Sequence, residues 1–591
     1  MMKIKRRHFL TFTSLLALYP LSKFFQRSNH KGGREKRTEY KKYILLNVVE
    51  SPSRWMFDTI LRPTNNDKFI ENQFIATGFA HIGQEPLDFS YEYKTFPHRG
   101  MNFPVMWNQS LPDSKGGSFV LKELAENMLI VRGCNMIFDG HEINSKRLDA
   151  PSIGDYSIAG LHDHTSPGLF PCLSLEGVKE SGTAAQAYHS PSKNRIPIKH
   201  SHNHYVDYLL DSFLNSKEDD SSDALLEEIL AQKFRRDHIG DFIKNLRQKK
   251  KIRNFVKENY SLIKKDYESA ISKYQSLIDR SIRETRISNL TDKRIPGIKF
   301  PLTLKKRVHK DKTPFDIVDY IGAYKQGDRI IIEDDIRDIF KTAEIKELAK
   351  QMSLTEIALK YDLTNNIVMN ISAITEMTTK TISLDDLEIK SSGDTVIISK
   401  KKEAKEEVLK ISHEADSHET GSISTLVCDY LMWRAVASCT HELINRIKEH
   451  GKSQWENTLI HLTTEFEREP GEIDKGSHHG FTGHTSTFFS GSIKETSLIG
   501  NIYSISHDQT DVSPGCGTWG KGAPIDKLGN REMVYGNIAT SIADFLGCPS
   551  PMPHEPRVFK LENGRIHSLV EAPTNKEFIK QSLKFEKPAA T

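Results

Sequence analysis

Residues 455–500 carry the densest set of side chains able to do chemistry. An apolar run, Thr458–Leu462, leads into an acid, Glu465, and His478, His479 and His484 follow among glycines within twenty residues. A buried strand that delivers a carboxylate to its carboxyl end, followed by a Gly-rich loop with imidazoles, is how open α/β sheets build metal or ligand sites. The same spacing also fits a surface loop that holds three histidines, since short motifs match by chance. Two further clusters are Leu161-His162-Asp163-His164 and His200-Ser201-His202-Asn203-His204. The first, ahead of Ser166-Pro167-Gly168, suits either a pocket lining or a loop. In the second the histidines alternate, so on a strand they share one side. With no acid or cysteine among them, a solvated polar edge fits better than a metal site. Hydroxyl nucleophiles are open: Ser51 and Ser53 follow the first strand, and Thr165 and Ser166 follow His162 and His164. Each also suits an ordinary turn.

The elements that must position these groups are legible in part. Tyr43–Val49 is a short apolar run and reads as a buried first strand, stopped by Glu50-Ser51-Pro52-Ser53. Residues 118–133 read as helix then strand. From 205 to about 290 the period becomes helical: Ile252, Phe255, Val256, Tyr260, Ile263, Tyr267, Ile271, Tyr274 and Ile278 form one stripe, and Leu225, Leu226, Ile229 and Leu230 begin another. The basic run Arg247–Arg253 between them reads as a solvated turn and helix face. We therefore expect a helical insertion at 205–310 between two parts of one α/β domain, 43–204 and 311–591. In the second part, Leu354–Asp362 reads as helix, Asn366–Ser372 as strand, and 375–410 as including a strongly charged hairpin at 395–403. A long helix runs from Ser424 to about His450. Residues 536–548 form a helix stopped at Gly547.

The N-terminus sets the expected compartment. Arg6-Arg7 precede an apolar stretch, Phe9–Leu21, too short to span a membrane as a helix. That order is the order of an export signal, and the paired arginines point to the twin-arginine route. No small-x-small cleavage site follows, so the segment at 1–27 is expected to serve as signal or anchor, with 28–42 as linker. Residues 1–27 hold six bases and no acid, which leaves the rest of a +4 chain at about −2. That near-neutral balance suggests neither nucleic acid nor an acidic partner. The six cysteines form no metal-type pair; Cys428 and Cys439, eleven apart on a helix, lie ~16 Å apart and cannot bridge.

Taken together, these motifs resemble a family. They are the twin-arginine signal, Pro52-Ser53 and Phe57-Asp58 after the first strand, and Asp416-x-His418 before a long helix. They continue with Glu465-Phe466-x-Arg468-x-Pro470 after a strand, a loop with Gly476 and His479, and a final helix with Ala539-Thr540 and Leu546-Gly547. The chain is similar to the twin-arginine-exported domain of unknown function 1501 family in the alkaline phosphatase/sulfatase superfamily. The resemblance is densest at 412–548. It implies an alkaline phosphatase-like, doubly wound α/β sheet with a large helical insertion and a metal site at the carboxyl ends of the strands. It implies Asp416, His418, Glu465 and His479 as metal ligands, with Glu50 after the first strand and His478 or His484 nearby. Such ligands suit zinc, manganese or iron. The metals of the superfamily activate a hydroxyl or water against a phosphate or sulfate ester.

This chain departs from the pattern. Phe466 stands where active superfamily members place a histidine, Glu467 where glycine is usual, and His478 where Asp usually precedes the loop histidine. Glu50-Ser51 stands where relatives commonly have Gly-Gly. Two function classes follow. One is an exported metal-dependent hydrolase of small phosphate or sulfate esters. The other is a periplasmic protein that keeps the fold and acts through binding or assembly with a protein partner. In both, the partners include the twin-arginine export machinery and, where the signal is retained, the inner membrane.

Overall fold

The computed structural model describes residues 40–54, 57–58, 95–99, 101–152, 155–176, 183–192, 198–200, 236–284 and 297–306. It further describes 316–372, 375–413, 418, 420–470, 477–500, 502–503, 521–522 and 524–570. The chain divides into two units, Met1–Tyr40 and Lys41–Thr591. The Arg6-Arg7 segment, Asp416, the Leu225–Leu230 stripe, His202 and His204 lie outside the described residues. Among the described residues no helix is long and apolar enough to cross a membrane.

The second unit is mixed α/β. Its main sheet holds β1 (Lys42–Val48), β2 (Met128–Asn135), β3 (Leu173–Leu175), β4 (Ile198–His200), β5 (Asn366–Ile371), β6 (Thr458–Thr463), β7 (His484–Phe489), β8 (Ser497–Ile499) and β9 (Met533–Val534). The order is β8-β2-β7-β6-β1-β5-β3-β4, and β9 continues the edge of β2 beyond β8. β1 pairs in parallel with both β5 and β6. Only β7 is reversed, antiparallel to β6 and to β2. The sheet is thus mixed. The reversed strand, His484-Thr-Ser-Thr-Phe-Phe, carries no apolar run, yet every residue of it is buried.

Both faces of the sheet are covered. Along β1, Ile44, Leu46 and Val48 enter one core while Tyr43 and Leu45 enter the other, the alternation that a pleated strand imposes. The first core is closed by the helices α3 (Arg236–Arg283), α4 (Leu348–Lys360) and α5 (Ser422–Glu449), which contribute Ile263, Tyr274, Met352 and Trp433. The second is closed by α2 (Ile158–Thr165) and α6 (Tyr535–Leu546), which contribute Ile158 and Ile538. Gly547 ends α6 in the left-handed region at φ 70°, as a helix-stopping glycine does.

Within 205–310, α3 buries Ile263, Tyr267, Tyr274 and Ile278 from the predicted stripe, and Lys273 bridges Glu356 of α4 and Glu442 of α5. Leu302–Lys305 is a strand outside the main sheet; it pairs with Thr395–Lys400. The described cysteines are free thiols.

Candidate functional site

Because every strand but β7 runs one way, the chain leaves β1, β2 and β6 at a single sheet edge and enters β7 there. Val49–Ser53 follows β1. Asp139, Gly140 and His141 follow β2 and open a short helix, α1 (His141–Arg147). Thr464–Arg468 follows β6. A hairpin, Glu467–Pro470 with Ser477–Gly480, sets His479 opposite Arg468 just ahead of β7. His418 stands shortly before α5.

Three imidazoles gather at this edge, two of them against the Phe466 ring. His479 lies 4.8 Å from His141 and 4.6 Å from His418 between ring centres, near-perpendicular in both cases. Phe466 packs 4.3 Å from His479 and 4.7 Å from His141. His479 Nδ1 meets Asp139 Oδ1 at 2.5 Å. Its Nε2 is buried with no hydrogen-bond partner among the described residues. Burial pushes the His479 value down to about 4; the Asp139 hydrogen bond opposes this, while Arg468, His141 and His418 add to it. At neutral pH His479 is therefore uncharged, with a lone pair available. His141 Nδ1 lies 3.9 Å from Glu465 Oε1.

Glu465 is buried, and both of its oxygens are engaged by the turn after β1. Oε1 accepts the Glu50 N–H at 2.8 Å and Oε2 accepts the Ser51 hydroxyl at 2.5 Å. Arg468, fully buried, donates to the carbonyls of the same two residues, from NH2 to Glu50 O at 2.6 Å and from Nε to Ser51 O at 2.7 Å. Glu50 and Ser51 have φ of 68° and 51°, a left-handed pair without glycine.

Below this turn α5 takes over. Asp429 Oδ2 accepts the Ser53 N–H at 2.8 Å, and Trp433 Nε1 donates to Ser53 O at 2.8 Å. Asp429 is buried, with His413 Nε2 at 4.0 Å and the Arg468 charge nearby. Burial pushes its carboxyl up to about 7 from 3.8. Because the folded-state value lies above the unfolded one, its contribution to stability is complete below the unfolded value and is lost as pH rises through about 7. Asp429→Asn keeps an acceptor for Ser53 and has no charge to bury. Urea midpoints at pH 6 and pH 8 should show the wild type losing about 1–2 kcal/mol more than the variant over that interval.

The expected site residues are placed as follows. The structure brings together His418, Glu465, His479 and the backbone of Glu50. It adds Asp139 and His141, which the sequence reading missed; the available signal was an Asp-Gly-His directly after a strand. It does not bring His484 to the site. His484 is fully buried within the sheet, its Nε2 3.1 Å from Thr463 Oγ1 and 3.0 Å from Ser486 Oγ, and burial holds it well below its ordinary value. The side chains of His478 and His200 lie outside the described residues. His162 sits at the opposite sheet edge, bonded to Asn366 Oδ1 at 2.7 Å at the start of β5. Thr165 donates back to Leu161 and His162 carbonyls in α2, and Ser166 caps that helix. Among the described residues, no three His, Cys, Asp or Glu side chains stand as a group that could hold a metal ion. Of the ligand set that the resemblance implies for zinc, manganese or iron, His418, Glu465 and His479 stand at this edge, while Asp416 and the His478 side chain lie outside the described residues. Comparison with protein-family models, with curated proteins and with solved structures returns no match to this chain.

Proposed function

We propose that this chain hydrolyses phosphate or sulfate esters at the imidazole cluster, in a fold of the alkaline phosphatase type. The observation that carries this reading is the His479 imidazole: Nδ1 fixed on Asp139, Nε2 buried and unpaired among the described residues, and two more imidazoles beside it. A carboxylate that orients an imidazole whose other nitrogen faces a site is the arrangement of a general base. In the proposed reaction His479 Nε2 takes a proton from water. The water oxygen bonds to phosphorus or sulfur, and the ester oxygen leaves with a proton from a protonated His141 or His418. Solvent exchange then resets both groups. The twin-arginine export route and the periplasm belong to the same proposal.

A second reading, a binding or assembly protein, is favoured by a different observation. Ser51 and Phe466 are fully buried, and Glu465 is committed to the β1 turn. A panel of aryl phosphate and aryl sulfate monoesters separates the two. It should be run on the full chain with EDTA and again with added zinc, manganese or iron. The hydrolase reading expects turnover of at least one ester class. No turnover under any of these conditions leaves the binding reading.

A further inference from the structure

We propose that Glu465 and Arg468 act together as a positioning clamp on the Glu50–Ser51 turn, replacing the conformational freedom that glycines would supply there. The inference does not depend on ester hydrolysis.

A non-glycine residue at positive φ is uncommon, and two in succession persist only when the surroundings over-determine them. Here Glu50 and Ser51 adopt φ 68° and 51° and are almost wholly buried. One carboxylate takes the donors of the pair, at 2.8 Å and 2.5 Å. One guanidinium takes both carbonyls, at 2.6 Å and 2.7 Å. The Ser51 hydroxyl also accepts the Phe466 N–H at 3.3 Å, so it is fixed as donor and as acceptor. The Phe466 ring lies under the Arg468 guanidinium at 5.3 Å, which holds the cation over the turn. The clamp therefore comes from one four-residue segment, 465–468. That segment continues into the hairpin strand in which Arg468 pairs with His479. The turn after β1 and the imidazole before β7 are positioned by a single piece of chain. Phe466, which cannot ligate a metal, has a place in this arrangement as the apolar plate between the guanidinium and the imidazoles.

A positioning carboxylate and a metal ligand respond differently to glycine. Removing a ligand cannot be repaired in the turn, whereas removing a clamp can be repaired by residues that adopt left-handed φ without strain. The test compares the wild type, Glu465→Ala, the pair Glu50→Gly/Ser51→Gly, and the triple variant, by thermal melting and by calorimetric titration with zinc. Glu465→Ala should lower Tm by about 5 °C or more. The glycine pair should recover at least half of that loss in the alanine background while lowering Tm in the wild-type background. That difference between backgrounds isolates the clamp from the flexibility glycine adds to the unfolded chain. Glu465→Gln, which loses the acceptor for Ser51 alone, should fall between wild type and alanine. If Glu465→Ala does not fold, a soluble triple variant supports the clamp and an insoluble one overturns it. An unchanged Tm in Glu465→Ala, additive glycine effects, or zinc binding that is lost with Glu465 and not restored by the glycines would each overturn it.

Discussion

Asp58→Ala should cost about 3–5 kcal/mol of stability, the loss expected when one member of a buried ion pair is removed and the other is left uncompensated. Arg54 and Asp58 are both fully buried. Arg54 Nε donates to Asp58 Oδ1 at 2.8 Å and NH2 bonds the second oxygen, so the contact is bidentate. Thr487 on β7 donates to Asp58 Oδ2 at 2.7 Å, and Arg54 also reaches Leu462 O on β6 at 3.3 Å. The pair therefore ties the segment after β1 to the two strands that meet beside it. The alanine variant strands a guanidinium in the core, 5.5 Å from the Trp433 ring. The double variant Arg54→Met/Asp58→Leu should lie within about 1–2 kcal/mol of the wild type, since apolar groups of similar size commonly replace buried ion pairs at little cost. Urea unfolding of the three proteins checks both statements. A single-variant loss below about 1 kcal/mol, or a double variant as unstable as the single, would count against the uncompensated-charge account.

The parts of the fold visible in the sequence were those with an unbroken apolar pattern. β1, β5 and β6 are short apolar runs buried on both faces, and the runs at 43–49, 366–372 and 458–462 find them to within a residue or two. α5 and α6 were found from their period and, for α6, from its stopping glycine. β7 was missed because its burial is carried by Thr485, Ser486 and Thr487, small hydroxyls that no hydrophobic pattern marks. The same fact misplaced His484. In a loop it would be a ligand; in a buried strand it is a core imidazole bonded to those hydroxyls.

The site was legible at Glu465, His418 and His479, whose position at strand or helix ends follows from elements the pattern did mark. Asp139 and His141 could not be found that way. His479 and Asp139 are 340 residues apart, and only the strand order that sets β2 beside β7 makes them neighbours. Glu50–Ser51 shows a third kind of limit. The residue types alone do not reveal a left-handed turn there. Four of its polar groups are held by charges from Glu465 and Arg468.

The largest effect on activity should come from His479. If Nε2 is the base, His479→Ala should reduce kcat/KM for a responsive ester by about 10²–10⁴-fold, the range for losing a positioned general base. The imidazole is partly exposed at the edge of the hairpin, with 20 % of its side-chain surface open, so Tm should move little and the loss should lie in turnover. Asp139→Asn should lose less, because the amide still orients Nδ1 while the charge is gone. The pH profile separates this role from a merely structural one. Burial holds His479 at about 4, so its base form survives well into acid and the acid limb of kcat/KM should fall near 4. The Asp139 hydrogen bond raises the His479 value against that burial. Removing its charge must therefore lower the value further, and the acid limb of Asp139→Asn should move to lower pH. An acid limb near the ordinary imidazole range, or one that Asp139→Asn leaves in place, would assign the proton transfer to a group other than His479.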